Sequence, residues 1–227
     1  MNNRITGLAL AAFVALGTVG CSSSGEGSPA ASGKDTILGS MQDTTTPPVS
    51  ESDLRLRLLT AADLGQGYLE TPATDTTRRD DIGLTGCPAL EKLGGGAPAF
   101  AVKAKTSFTY TAGSTSSSTL GEELYSDTPA KLSKSTKDLF AAYASCPSFT
   151  MSTGTTPVQI AIGKTAAPEG IGDERYAQTM TITTSTSTTI LKQVAVRAGN
   201  VMVMLTGSPG LVDKDLPGAV EKAKAKK

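Results

Sequence analysis

Histidine is absent from the 227-residue sequence, and this absence limits the chemistry that the chain can perform. Without histidine there is no Ser-His-Asp or Cys-His catalysis and no histidine-dependent metal site. Two pairs of adjacent carboxylates, Glu122–Glu123 and Asp173–Glu174, are the candidates for acid–base chemistry. Neighbouring residues of a strand point to opposite faces, so neither pair forms a two-carboxylate site by itself. The sequence therefore predicts no catalytic residue, no metal site and no cofactor.

Cys21 follows an uncharged apolar run at residues 8–19. This run is shorter than the roughly 20 residues that span a bilayer, and it is typical of a secretory signal that is removed from the mature protein. Residues 18–21, TVGC, resemble the lipobox of bacterial lipoproteins, although that family usually has leucine in place of Thr18. The resemblance implies cleavage after Gly20 and acylation of the cysteine thiol. Plain secretion and an uncleaved anchor are the alternatives.

The apolar run and the lipobox-like residues before Cys21 determine the predicted domain organisation. We predict a signal peptide at residues 1–20, a lipidated flexible linker at residues 21–50 and one folded domain at residues 51–227. The linker is rich in Ser, Gly, Pro, Thr and Ala, a composition that buries too little apolar surface to offset the entropy of ordering. Two or three acyl chains, such as palmitate, hold a protein stably on a membrane. We therefore expect the domain on the extracytoplasmic face of the cell membrane, tethered through Cys21.

The charge balance bears on the choice of partners. The chain has 21 basic and 21 acidic residues, so its formal net charge is zero. A protein that binds the phosphate backbone of nucleic acid needs an excess of positive charge on one surface. The composition therefore argues against a nucleic-acid partner, and the predicted partners are the membrane, through the lipid at Cys21, and an unknown small-molecule, lipid or protein ligand.

Two cysteines, Cys87 and Cys146, remain once Cys21 is assigned to the lipid. Because the environment outside the cell membrane is oxidising, an even pair of cysteines predicts a disulfide bond, with two buried thiols as the alternative. On the chain-entropy treatment, a bridge that closes a loop of this length stabilises the fold by about 4 kcal/mol.

Four stretches carry helix signals. Residues 52–62 follow a capping serine and place leucines at helical spacing, and residues 88–93 form a short helix that ends at glycines. Residues 129–145 give the strongest signal, with a capping threonine, a proline in the first turn and one apolar stripe. A last helix begins at Asp213 and is interrupted near Pro217.

The remaining segments carry strand signals. Residues 99–112 alternate apolar and polar side chains, which predicts a strand with one solvated face, and residues 119–127 are its hairpin partner. Between residues 148 and 207, apolar stretches and tight turns follow one another as in an antiparallel meander. We therefore predict the α+β class, with an antiparallel sheet, helices packed on one face and one disulfide.

The stretches LLTAADLGQGY and IGDERY, together with two cysteines of which the second ends a helix, resemble the extracellular sensor domain of mycobacterial serine/threonine kinases, the PknH-like family. The resemblance extends over residues 51–223, and members of the family also occur as free-standing lipoproteins. It implies an antiparallel sheet with flanking helices, a cleft and a ligand-binding role without enzymatic activity. The chain departs from the family by having one candidate disulfide instead of two and by lacking a kinase domain.

These observations lead to one main functional hypothesis and two alternatives. The main hypothesis is a non-catalytic sensor-like or ligand-binding module, with a small molecule, a lipid or a protein as its unknown ligand. The alternatives are a lipid or glycolipid carrier with an apolar cavity and a hydrolase of the cell envelope. Four tyrosines are candidates for lining a cleft, with ordinary half-buried packing as the alternative role for each: Tyr68, Tyr110, Tyr125 and Tyr176.

Overall fold

The computed structural model describes residues 46–71, 82–94, 98–111, 117–153 and 156–225. The predicted signal peptide, Cys21 and most of the predicted linker lie outside the described residues. The elements that the structure describes all belong to the region that the sequence analysis assigns to the folded domain.

The strands of the described chain form one antiparallel sheet. They are β1 (Tyr68–Thr71), β2 (Ile82–Thr85), β3 (Val102–Tyr110), β4 (Ser118–Ser126), β5 (Ser148–Thr153), β6 (Thr156–Lys164), β7 (Glu174–Thr183), β8 (Thr188–Ala198) and β9 (Val201–Gly207). Their order across the sheet is β1-β3-β4-β9-β8-β7-β6-β5-β2. The hairpin of β3 and β4 meets the meander of β5 to β9 where β4 pairs with β9. The predicted α+β class with an antiparallel, meander-rich sheet is confirmed.

Five helices accompany the sheet in the described residues: α1 (Glu51–Leu56), α2 (Ala61–Leu64), α3 (Pro88–Lys92), α4 (Pro129–Ser145) and α5 (Pro209–Lys224). The helix predicted at residues 129–145 is confirmed. The helix predicted at residues 52–62 is replaced by two short helices, because Thr60 and Asp63 form a reciprocal capping box that begins a new helix.

The last helix starts earlier than the sequence analysis predicted and is not interrupted at Pro217. It begins with a proline in its first turn, after Ser208, where a missing backbone N–H has no consequence. Pro217 is exposed, while Leu216 and Val220 beside it are buried against the sheet. Packing of this apolar stripe maintains the helix through the proline.

The centre of the sheet is buried on both faces. Along β8, Val194 and Val196 pack into one apolar cluster and Ala195 into the other. Neighbouring β9 has the sequence VMVML at residues 201–205, and its side chains divide between the two clusters in the same alternating way. Helices α1 and α5 cover the first face, and α3 and α4 cover the second. The helices therefore lie on both faces, where the sequence analysis had placed them on one, because a strand that is apolar at every position requires cover on both sides.

The two edge strands, β1 and β2, were not predicted from the sequence. Each has four residues, and they pair only with β3 and β5 in the described sheet. Four residues are too few to show a clear alternation of apolar and polar side chains. These strands depend on the edge of an existing sheet, which supplies their hydrogen-bond partners.

The predicted disulfide between Cys87 and Cys146 is confirmed, with Cα atoms 5.6 Å apart. Cys87 is the residue before α3, and Cys146 is the residue after α4. The bond therefore joins the start of one helix to the end of another and holds the edge strand β2 close to β5.

Replacing Cys87 and Cys146 together by alanine should lower the free energy of unfolding by about 4 kcal/mol, because the bridge closes a loop with a sequence separation of 59 residues. Urea denaturation of the oxidised protein and the double variant measures the difference. Reductant should destabilise the native protein and leave the variant unchanged. Equal transition midpoints for the oxidised protein and the variant would contradict the prediction.

Candidate ligand-binding cleft

The four candidate tyrosines lie on opposite faces of the sheet. Tyr68 and Tyr110 are in contact on the face of α1 and α5, with ring centroids 4.6 Å apart. Tyr125 and Tyr176 belong to the apolar cluster on the face of α3 and α4. The structure therefore does not bring the four together, and Tyr176 is the one that lines the cleft described below.

Tyr68 and Tyr125 are buried residues whose hydroxyl groups are engaged within the fold. The hydroxyl of Tyr68 donates a hydrogen bond to Asp215 at 2.6 Å, and burial together with this carboxylate raises the pKa of Tyr68. The hydroxyl of Tyr125 donates to Glu123 at 2.7 Å. Both tyrosines are therefore packed inside the fold and do not line a cleft, which is the alternative role considered for them above.

A cleft of about 300 Å³ opens between α4 and the strands β6 and β7. Phe140 and Tyr176 form an aromatic wall, with stacked rings whose centroids are 5.3 Å apart. Phe140 belongs to the apolar stripe of α4, and strand alternation places Tyr176 and Gln178 on the face below it. Ile162 and Lys164, near the end of β6, also line the cleft and add an apolar side chain and an ammonium group.

The cleft combines hydrogen-bonding groups with one uncompensated charge. Burial, with smaller contributions from the charge of Glu174 and from the hydrogen bond that the Tyr176 hydroxyl donates to it at 3.4 Å, raises the pKa of Tyr176, so this hydroxyl stays protonated at neutral pH. The amide of Gln178 donates to Gln193 at 2.8 Å, which fixes its side chain. Lys164 is exposed, and it forms no ion pair with any described residue. The cleft therefore has an apolar wall and a positive end.

A second hollow, of about 650 Å³, lies between α3 and α4 beside the disulfide. Alanines and the charged residues Lys92 and Asp138 line it. Asp138 already pairs with Lys134, one turn earlier in the same helix. We favour the smaller cleft as the candidate site, because its aromatic wall provides specific contacts that this hollow lacks.

Asp173 and Glu174 converge on Arg197, which the sequence analysis did not single out. Arg197 is 5% exposed, and its guanidinium donates to Glu174 at 2.9 and 3.2 Å and to Asp173 at 3.1 Å. It also donates to the carbonyl oxygen of Gly199. The two carboxylates meet because Asp173 precedes β7 and so lies outside its alternation. Their role is to hold the turn between β8 and β9, where Asp173 also accepts from the backbone N–H of Gly199. The available sequence signal was an arginine directly after the apolar run at residues 194–196.

Glu122 and Glu123 lie on opposite faces, as expected for neighbours in a strand. Glu122 alternates with Leu120 and Leu124, so it points with them to the buried face under α1 and α5. Its position between two core leucines is the sequence signal for a buried carboxyl. It lies across the sheet from the cleft.

The described residues contain neither a metal-binding cluster nor a membrane-spanning helix. No cluster of three or more His, Cys, Asp or Glu side chains that could hold a metal ion occurs among them. No helix in the described part of the chain is long and apolar enough to cross a membrane. The cleft presents an ammonium group, a phenol and an amide, and these groups can bind a ligand by charge and hydrogen bonding.

The fold defines an α+β domain in which helices cover both faces of a large antiparallel sheet. The chain resembles the extracellular domain of PknH from Mycobacterium tuberculosis, with a TM-score of 0.52 and 10% identity, over 79% of this chain and 98% of that chain. It also matches an uncharacterised Mycobacterium smegmatis protein, an ortholog of Rv0999, with a TM-score of 0.41 and 12% identity, over 73% and 97% of the two chains. The likeness to the extracellular domain of PknH, at this identity, concerns the fold. No protein-family profile and no curated protein sequence matches the chain.

Replacing Arg197 by methionine should lower the free energy of unfolding by about 2–3 kcal/mol, because it removes the cation that three hydrogen-bonded partners share in a buried position. The matched control is Arg175→Gln, since Arg175 is exposed on β7 and contacts one carbonyl at 3.3 Å. Thermal and urea unfolding of both variants measure the difference. A loss as large in the control as in the Arg197 variant would show that the effect is not specific to the buried network.

Proposed function

We propose that the protein is a non-catalytic ligand-binding module, tethered by a lipid at the extracytoplasmic face of the cell membrane. The observation that carries the proposal is the cleft between α4 and β6–β7, where the aromatic wall meets the unpaired charge of Lys164. Similarity in fold to an extracellular domain supports the extracytoplasmic location. The lipobox-like residues before Cys21 support the tether.

The cleft fits a compact ligand that carries an apolar ring or short chain and one anionic group. A volume of about 300 Å³ is at the lower end of the range for small-molecule sites. Phe140 and Tyr176 offer apolar contact, and the hydroxyl oxygen of Tyr176, whose proton is directed to Glu174 at 3.4 Å, can accept a hydrogen bond. The ammonium group of Lys164 attracts the anion, because no carboxylate of the described chain neutralises it.

The packing of the sheet supports a small ligand over a long acyl chain. A carrier requires an apolar cavity between its layers, and on the face of α1 and α5 that space is filled by Val194, Leu205 and Leu216, which have almost no exposure. The hydrolase hypothesis requires an acid and a base that meet at the ligand. Among the described acids, the pairs at 122–123 and 173–174 serve other contacts, so we rank binding first.

The cleft can be tested by purifying the chain from its own membrane and examining it by native mass spectrometry with solvent extraction. We expect a bound anionic compound of low mass. Its affinity, measured by calorimetry, should fall about 10-fold in Lys164→Gln, because that variant loses one charge-assisted contact.

Lys137→Gln is the matched control, since Lys137 is an exposed lysine of α4 that lies outside the cleft. It should bind the compound as the native protein does. An equal loss in both lysine variants would place the ligand elsewhere, and a co-purifying lipid with long acyl chains would favour the carrier hypothesis instead.

Lipid attachment at Cys21 can be tested separately from binding. The native protein should partition into the detergent phase after Triton X-114 extraction, and Cys21→Ser should move to the aqueous phase, because acyl chains supply the membrane affinity. Mass spectrometry of the amino-terminal peptide should show the added lipid. Detergent-phase partitioning of the serine variant would contradict anchoring through this thiol.

A further inference from the structure

The segment at residues 47–64, which we name the N-terminal arm, lies over the buried face of β4. It includes α1 and α2, and its leucines at positions 54, 58, 59 and 64 belong to the core cluster. Hydrogen bonds fix its beginning, where the carbonyl oxygen of Pro47 accepts from Asn200 at 2.6 Å. The ion pair between Asp63 and Lys222 of α5 fixes its end.

Glu122 lies beneath the middle of the N-terminal arm. It is 0% exposed, and its Oε2 atom accepts a hydrogen bond from the backbone N–H of Leu59 at 2.7 Å. Its Oε1 atom has no hydrogen-bond partner among the described residues. A buried carboxylate with a single hydrogen bond is strongly destabilising, whereas a neutral carboxyl group in the same position loses much less on burial.

The charged groups around Glu122 do not neutralise it. Lys222 favours the ionised form and Asp63 opposes it, but these two side chains pair with each other at 2.5 Å. Glu70, on β1, accepts a hydrogen bond from Thr106, the residue that faces Glu122 on β3.

The remaining neighbours bring no cation to the carboxyl either. Arg57, on the arm itself, donates to the carbonyl oxygen of Ala223. On β9, Glu122 faces the apolar Leu205. Burial therefore dominates and raises the pKa of Glu122 to about 7.

We propose that Glu122 and the N-terminal arm form a proton-controlled latch. The arm is docked while the carboxyl group is neutral, and it loosens when the carboxyl group ionises, because only an undocked arm lets water reach the carboxylate. The hydrogen bond from the Leu59 N–H favours the ionised form, so the loosening comes from the burial of the charge and acts against this contact. The latch lies on the sheet face opposite the cleft, so it is independent of the proposed ligand site.

The direction of the pH dependence follows from the two states. In the undocked state the carboxyl group is in water, where its ordinary pKa is 4.5, and in the docked state its pKa is about 7. Docking is therefore strongest below the lower value and weakens as the pH rises through the higher one. With these two values, the docking equilibrium constant falls about 10-fold between pH 6 and pH 8.

Amide hydrogen exchange of the full chain in detergent, read residue by residue by NMR, tests the latch. Protection factors, corrected for the intrinsic rate at each pH, should fall about 10-fold from pH 6 to pH 8 at Leu54, Leu58 and Leu59. Val203, in the central strand, should keep its protection. In Glu122→Gln the arm amides should be protected equally at both pH values, because the amide side chain cannot ionise.

Glu123→Gln is the matched control, since it changes the neighbouring carboxyl group on the opposite face and should retain the fall of the native protein. Arm protection that is independent of pH in the native protein would overturn the proposal. The same fall in Glu122→Gln would overturn it as well, because ionisation of another group would then be responsible.

A measurement without substitution keeps the test decisive if Glu122→Gln does not fold. The carboxyl ¹³C shift of Glu122 and the amide shift of Leu59 should titrate together near pH 7 in the native protein. A Glu122 midpoint at the ordinary value for glutamate, with the Leu59 amide unaffected, would refute the latch.

Discussion

Burial of β8 and β9 between two helical layers is the constraint on which the rest of the structure depends. Every residue from Val201 to Leu205 is closed to solvent, so each strand needs an apolar partner above and below. The helix α5 supplies one of these partners and α4 supplies the other. The two ends of the sheet do not share this requirement, and the strands there become short or polar.

The two faces of this core have different chemistry. On one side, α4 leaves a cleft at the outer strands, because the helix covers the centre of the sheet and its aromatic Phe140 reaches only as far as Tyr176. On the other side, α5 and the N-terminal arm cover the core face of β4, and Glu122 is fully buried beneath them. A ligand site and a buried titratable group thus follow from the same three-layer arrangement, on opposite sides of it.

The sequence predicts local features well and contacts between distant segments poorly. The stripe of α4 and the alternation of β3 extend over many residues, so both elements can be recognised without the structure. Tyr176 could be proposed as a cleft residue from its type alone. Lys164 and Phe140 could not, because the cleft exists only where α4 packs on β6 and β7. The placement of helices on both faces of the sheet could have been predicted from VMVML at residues 201–205, because a strand that is apolar at every position needs an apolar layer on each side.

The pairing of β4 with β9 has a consequence for the order in which the chain can fold. β4 forms its hairpin with β3 from neighbouring residues, but its other edge is completed by the last strand of the sheet. Contacts between such distant segments form slowly, because a long loop must close before any pairing offsets its entropy. Until β9 and α5 are present, the core face of the hairpin, with Leu120 and Leu124, has the N-terminal arm as its one cover among the described elements. The sheet is therefore complete at its centre only when the last strand has paired, and a chain that ends before β9 leaves an open strand edge on β4.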